Sequence, residues 1–295
     1  MQAFLHSRFR RNKENDAARK IRRGCLYMRK TMLYANYHTH TYRCGHASME
    51  PDEAYVKAAI ETGIKILGFT DHCPWPYSES FYKRGVRMHM SELDEYIASI
   101  RGLAEKYKDS IKIYVGLECE FFEEFLPYIE RYHEMVDYLL LGVHWRKSEE
   151  AGEISSSNAV TPEHLSWFSE NTIRGMKSGL FRYVNHPDHL FSSYPVFDEY
   201  CEKASREICK AALETGLPLE YNLGGAGKGE RGGFTGLGYP CPGFWKIAAE
   251  MGCQAIVGID AHSTEPIYNT ARIERAVSYL RSIGMEPLRV LEGLE

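Results

Sequence analysis

The chain has 295 residues, of which 44% are hydrophobic and 26% charged; this excludes a fibre, a disordered chain and a small disulfide-stapled fold. Its formal charge of −4 is uneven, because residues 1–33 hold ten Lys/Arg against Glu14 and Asp16, leaving 26 basic and 38 acidic groups for the rest. A body this acidic excludes general nucleic-acid binding, and the absence of any run of about 18 uncharged apolar residues argues against a membrane-spanning helix.

The basic leader has no sustained apolar stretch, so it does not read as a secretory signal. Met28 and Met32 lie just before the first strand-like segment, and residues 1–33 are expected to be a disordered tail or an upstream start-codon artefact. Residues 34–295 show no linker or repeat and are expected to form a single domain. Eight cysteines without a C-x-x-C pair read as reduced thiols of a cytosolic protein.

From residue 35 onward, short apolar runs alternate with amphipathic segments. Strands are expected at 35–40, 65–70, 112–118, 138–144, 181–186, 219–222 and 255–260. Helices are expected at 51–62, 91–107, 126–136, 162–177, 198–215, 242–251 and 268–283. Several ends carry signals: Ser91 and Thr161 as N-caps, Gly63, Gly216 and Gly252 just past the last turn. The glycine-rich stretch 224–238 reads as a mobile loop. Seven strands in strict alternation with helices predict a parallel sheet, either an open doubly wound sheet or a closed barrel.

Chemistry gathers where these strands end. Strand one ends in His38-Thr39-His40, strand two runs into Asp71-His72, and strand three ends at Glu118. Strands four and five end at His144 and His186, and strand seven runs into Asp260-Ala261-His262. His46 follows in the first loop, and strand six ends at Asn222 instead. Side chains at the C-terminal ends of parallel strands share one mouth, where such folds place their sites. A lone histidine at a strand end is usually structural, but seven of the twelve histidines fall at these places. Mixed His and carboxylate donors suit a catalytic metal site better than a closed, cysteine-rich structural zinc. His38 and His40, spaced i, i+2, share one strand face and can grip one ion.

The ordered segments His38-Thr39-His40, Thr70-Asp71-His72, Gly116-Leu117-Glu118, Gly142-Val143-His144, Asn185-His186-Pro187-Asp188 and Asp260-Ala261-His262 resemble the motifs of the polymerase and histidinol phosphatase (PHP) superfamily. Cys44-Gly45-His46 is similar to its monofunctional histidinol-phosphatase branch. The resemblance implies a distorted (β/α)7 TIM-like barrel of the PHP type with three divalent ions, Zn, Mn or Fe. It implies one ion on His38, His40, Glu118 and Asp260, a second on Glu118, His144 and His186, and a third on His46, His72 and His262. It further implies hydrolysis of a small phosphate monoester, with L-histidinol phosphate first among candidates and a nucleotide or sugar phosphate second.

Other roles rest on the residues alone. Asp188 is a candidate general acid, and Asp71 a candidate orienter of a neighbouring histidine. Arg87, Lys228 and Arg231 are candidates for phosphate contact, and Glu120 for a substrate ammonium group. The family places an Arg shortly after strand six, where this chain has glycine, so Lys228 or Arg231 is expected to substitute. A non-catalytic metal-binding partner module is the competing class, and the complete set of nine candidate ligands argues against it. Oligomeric state has no signal in the sequence.

Overall fold

The computed structural model describes residues 33–82, 85–152 and 154–295. The expectation for the leader therefore falls, apart from Leu33, outside the described residues. Seven strands appear in the expected order: β1 Ala35–Asn36, β2 Ile66–His72, β3 Lys112–Cys119, β4 Tyr138–Leu141, β5 Tyr183–Val184, β6 Leu219–Asn222 and β7 Ala255–Gly258. Each pairs in parallel with the next. Beyond β1 and β7 a parallel bridge joins Thr39 to Ala261, with His40 N donating to Ala261 O at 2.9 Å. That bridge turns the open alternative into a barrel. The barrel is distorted at β5, which meets β6 through one residue pair, Val184 with Leu219.

Strand residues are buried on both faces, as covered parallel strands must be. Leu67, Phe69, Val115, Leu117, Leu139, Leu141 and Val257 pack outward under the helices. Ile66, Tyr138, Leu140, Tyr183 and Ile256 point into the barrel. Full burial of each aliphatic side chain contributes about 1.5–3 kcal/mol. Gly68 and Gly116 leave room inside for the Tyr138 ring: a Cβ on Gly68 would lie 1.9 Å from its hydroxyl. Large and small residues thus fill the interior at the N-terminal ends of the strands.

The covering helices are α1 Asp52–Thr62, α2 Leu93–Lys106, α3 Leu126–Met135, α4 Pro162–Lys177, α5 Glu199–Thr215, α6 Leu223–Glu230, α7 Pro242–Met251, α8 Glu265–Tyr268 and α9 Thr270–Ser282. The Thr161 side chain caps α4, and Gly63 closes α1 in the left-handed conformation at φ 91°. Three readings need correction. The helix expected from Ser91 starts at Leu93, behind a short 3-10 turn capped by His89. The helix expected over 268–283 is broken at Asn269, whose side chain caps α9. The supposed mobile loop after Asn222 begins as helix α6. There the Asn222 side chain accepts from Gly225 N at 2.8 Å, and the glycines admit close neighbours. A Cβ on Gly225 would lie 2.2 Å from the Tyr239 ring, and one on Gly227 2.9 Å from Arg272 Nη1. Glycine's cost in a helix is about 1 kcal/mol per residue, and that packing outweighs it. No helix among the described residues is long and apolar enough to cross a membrane.

Candidate metal centre

All nine expected histidines and carboxylates meet at the C-terminal end of the barrel. Donor atoms of His38, His40 and Asp260 lie within 4.8 Å of one another, as do those of Glu118, His144 and His186, and those of His46, His72 and His262. Glu118 links the three sets. Its Oε1 is 3.2 Å from His144 Nε2 and 3.0 Å from His186 Nε2. Its Oε2 is 3.4 Å from His40 Nε2 and 2.9 Å from His72 Nδ1. His40 Nε2 is also 3.2 Å from Asp260 Oδ1. A further group joins the Cys44 sulfur to His40 and His262.

The imidazoles are aimed from behind. Nδ1 of His38 meets Glu220 Oε1 at 2.9 Å, and Nδ1 of His144 meets Glu120 Oε1 at 3.0 Å. Nδ1 of His46 and His262 face backbone oxygens of Cys44 and Asp260, both at 3.2 Å. Carboxylate and carbonyl oxygens only accept, so each of these Nδ1 atoms donates. The Nε2 lone pairs of His46 and His262 are then left facing each other at 2.9 Å, and those of His38 and His144 are turned to Nε2 of His40 at 3.1 Å and of His186 at 3.2 Å. Facing lone pairs need a cation between them, and outer carboxylates of this kind orient metal-bound histidines.

Buried atoms without partners make the same point. Glu118 Oε2 and Asp260 Oδ1 have no hydrogen bond, although His72 nitrogen lies 2.9 Å from that Glu118 oxygen. Close approach without hydrogen-bond geometry suits a shared ion. Burial alone would raise the Glu118 pKa, yet His72, His144 and His38 hold it well below the usual carboxylate range. Burial opposes charge on His38, but Glu220, Asp260 and Glu118 raise its pKa well above that of a free imidazole. Burial and the neighbouring His40 hold His262 down to about 4 and keep His46 below the usual imidazole value, so these rings are neutral donors, and the mixed nitrogen and oxygen set fits divalent metal ions.

The backbone is shaped to this end. His186 and Asp260 have positive φ, 29° and 51°, a conformation costing on the order of 1–3 kcal/mol and concentrated at functional sites. Three glycines clear space for the carboxylates. A Cβ on Gly142 would lie 2.7 Å from Glu118 Oε1, one on Gly224 2.6 Å from Asp260 Oδ2, and one on Gly258 1.7 Å from Glu220 Oε1.

The remaining expected residues take other places. Asp71 receives Thr41 N at 3.1 Å and faces His40 Nδ1 at 3.5 Å, so it steadies His40 rather than adjacent His72. Asp188 is fully buried, its Oδ2 accepting from Cys241 N at 2.6 Å and Trp245 Nε1 at 3.0 Å; burial pushes its pKa up to about 7. Those bonds brace the His186 loop through Oδ2, while Oδ1 has no hydrogen-bond partner among the described residues. Arg87 and Glu120 are spent on each other at 3.2 Å, with Glu149 also on Arg87 and Trp75 Nε1 on Glu120 at 3.1 Å. The Glu120 carboxylate also faces His144 Nδ1 at 3.0 Å. Lys228 lies over the Phe234 ring at 4.9 Å, and Arg231 is exposed at the end of α6. Beside Gly227, the space is taken by the Arg272 guanidinium, which pairs with Glu230 at 2.9 Å.

Glu220 escaped the sequence reading. It is fully buried in β6 and binds His38, the Tyr183 hydroxyl at 3.1 Å, His186 N at 3.2 Å and Asn222 Nδ2 at 2.8 Å. Its i, i+2 spacing to Asn222 puts both on the inward face, the one signal available. A cavity of about 230 Å³ opens beside the centre, lined by His46, His72, His144, Arg87 and Trp145 among others. A larger one, about 490 Å³, lies at the opposite end of the barrel beside Tyr34 and Arg289, away from every candidate donor.

Comparisons place this geometry among known proteins. A "Probable histidinol-phosphatase" of Deinococcus radiodurans is 29% identical over 261 residues, covering 84% of this chain and 92% of that protein. A "Histidinol-phosphatase" of Bacillus subtilis is 29% identical over 118 residues, covering 38% of this chain and 44% of that protein. The crystal structure of histidinol phosphate phosphatase from Lactococcus lactis, complexed with zinc, L-histidinol and phosphate, superposes with a TM-score of 0.65 at 20% identity, covering 88% of this chain and 95% of that one. At that identity the likeness shows the fold, a PHP-type barrel. Residues 36–224, more than half of the chain, match the model of the PHP domain, and the chain belongs to the PHP domain family.

Proposed function

We propose that this protein is a metal-dependent phosphate monoester hydrolase whose substrate is L-histidinol phosphate. The observation that carries the reading is the convergence of nine His and carboxylate side chains in three groups linked by Glu118. The names of its relatives supply the substrate. His38, His40, Glu118 and Asp260 would hold one divalent ion, Glu118, His144 and His186 a second, and His46, His72 and His262 a third. Such ions supply charge stabilisation to phosphoryl oxygens and activate the attacking water.

The chain's own residues set the stage. Glu220, Glu120 and Asp71 hold the imidazoles. The Arg87–Glu120–Glu149 cluster walls the cavity without net positive charge. Phosphate capture therefore falls to the metal ions and to neutral donors at the mouth. Residues 34–295 act as one catalytic barrel. Zinc, manganese and iron all suit the donor set, and the free, buried cysteines at 44, 73, 119, 201, 209, 241 and 253 suit a reducing cytosol.

The test is phosphate release from L-histidinol phosphate by protein reconstituted with Mn²⁺ or Zn²⁺. The expected result is turnover well above that on nucleotide and sugar phosphates, with about three metal ions per chain by elemental analysis. Turnover confined to other esters would replace the substrate but keep the reaction class. No release from any ester by metal-loaded protein would overturn the phosphatase reading.

A further inference from the structure

His189 belongs to none of the candidate metal groups, yet it lines the same 230 Å³ cavity as His46, His72 and His144. It opens a short turn, His189–Phe191, three residues beyond His186. Its ring centroid lies 5.0 Å from that of His186 and 5.6 Å from that of His144. The Tyr239 ring packs beside it at 4.7 Å.

The ring is held in one orientation. Its Nδ1 is hydrogen-bonded to the hydroxyl of Ser156, a fully buried residue. Ser156 is itself fixed, its N–H donating to His144 O at 2.7 Å. The two loops are tied again by Ser193 Oγ, which donates to Ser157 O and receives Thr235 Oγ1 at 3.1 Å. No other hydrogen bond of the Ser156 hydroxyl is seen among the described residues, and in the tautomer that gives its proton an acceptor it donates to His189 Nδ1. The ring's own proton then sits on Nε2. Among the described residues no hydrogen bond takes that Nε2–H.

We propose that His189 is a substrate contact whose Nε2–H donates to a non-bridging phosphoryl oxygen of the ester. The proposal rests on the phosphatase reading above and adds a donor that the resemblance did not assign. A phosphate monoester presents only acceptors on those oxygens. The nearby guanidinium, Arg87, is already committed to Glu120, Glu149 and Cys73 O. A preorganised neutral donor, placed next to two candidate ligands of one ion, meets charge where it develops in the transition state.

The experiment compares wild type with His189→Ala, His189→Gln and Ser156→Ala, all metal-loaded. Metal content is read by elemental analysis, inorganic phosphate binding by calorimetry, and kcat and KM on L-histidinol phosphate and p-nitrophenyl phosphate. His189→Ala is expected to keep its metal, bind phosphate about 10-fold more weakly and lose about 100-fold in kcat/KM. His189→Gln, which keeps an N–H donor, should recover part of that loss, and Ser156→Ala should lose less than His189→Ala. Unchanged phosphate affinity and kcat/KM in His189→Ala would overturn the proposal. Loss of a metal ion from that variant would also overturn it, by making His189 a ligand. If wild type turns over no ester, the phosphatase reading fails, and phosphate calorimetry still decides on His189.

Discussion

The two ends of the barrel interior are filled on opposite principles. At the N-terminal end Tyr37, Tyr138 and Tyr183 pack with Ile66, Leu140 and Ile256, and each hydroxyl is satisfied. Tyr37 OH donates to Leu294 O at 2.8 Å and accepts from Leu291 N at 3.2 Å; Tyr138 OH donates to Tyr37 O at 2.7 Å. At the C-terminal end the same strands place His and carboxylate groups. Six of the seven buried side-chain atoms without partners among the described residues belong to His40, Glu118, Asn185, His186, Asp188 and Asp260. One end is satisfied by its own hydrogen bonds, and the other gathers donors that suit a metal ion. The packed lower end helps to offset the backbone strain at His186 and Asp260 above it, on the order of 1–3 kcal/mol each.

Three substitutions would break or sharpen that contrast. Glu118→Gln strikes the carboxylate common to the three groups. It should lower kcat by at least about 10³-fold, the scale of losing one strong transition-state donor, with metal content falling and far-UV circular dichroism unchanged. Full metal occupancy and near wild-type turnover would remove Glu118 from the centre. Glu220→Gln replaces no expected ligand but withdraws the carboxylate behind His38. An outer partner of this kind is worth about 10–100-fold in metal affinity or activity; competitive chelator titration reads the affinity, and an unchanged value would make Glu220 merely structural. Tyr37→Phe acts at the completed end and leaves Leu294 O and Leu291 N unpaired. It should cost about 1–3 kcal/mol of stability, seen as a fall of several degrees in Tm, with kcat/KM and metal content at wild-type values. A loss of activity in proportion to stability would mean that the two ends are not separable.

Much of this was legible beforehand because parallel strands buried on both faces read as plain apolar runs. Against runs such as Ile66–Phe69 or Tyr138–Leu141, a terminal His or Glu stands out. Glu220 did not stand out: an acid inside a four-residue strand looks like an outward residue until the neighbouring strands are in place. The partners of Asp188 were not legible either, since Cys241 N and Trp245 Nε1, which hold its Oδ2, lie more than fifty residues away. The glycine-rich segment was read by propensity, and propensity loses there to packing against Asp260, Tyr239 and Arg272.

By itself the sequence determined the number of strands, the alternation with helices and the identity of the candidate ligands, because these follow from periodicity and from residue types at strand ends. Only the tertiary structure decided the closure of the barrel through Thr39 and Ala261, the fourfold engagement of Glu220, the helix at 223–230 and the aim of each imidazole. Those features depend on atoms brought together from distant parts of the chain, and a hydrogen bond or a close backbone approach across such separations leaves no local pattern to read.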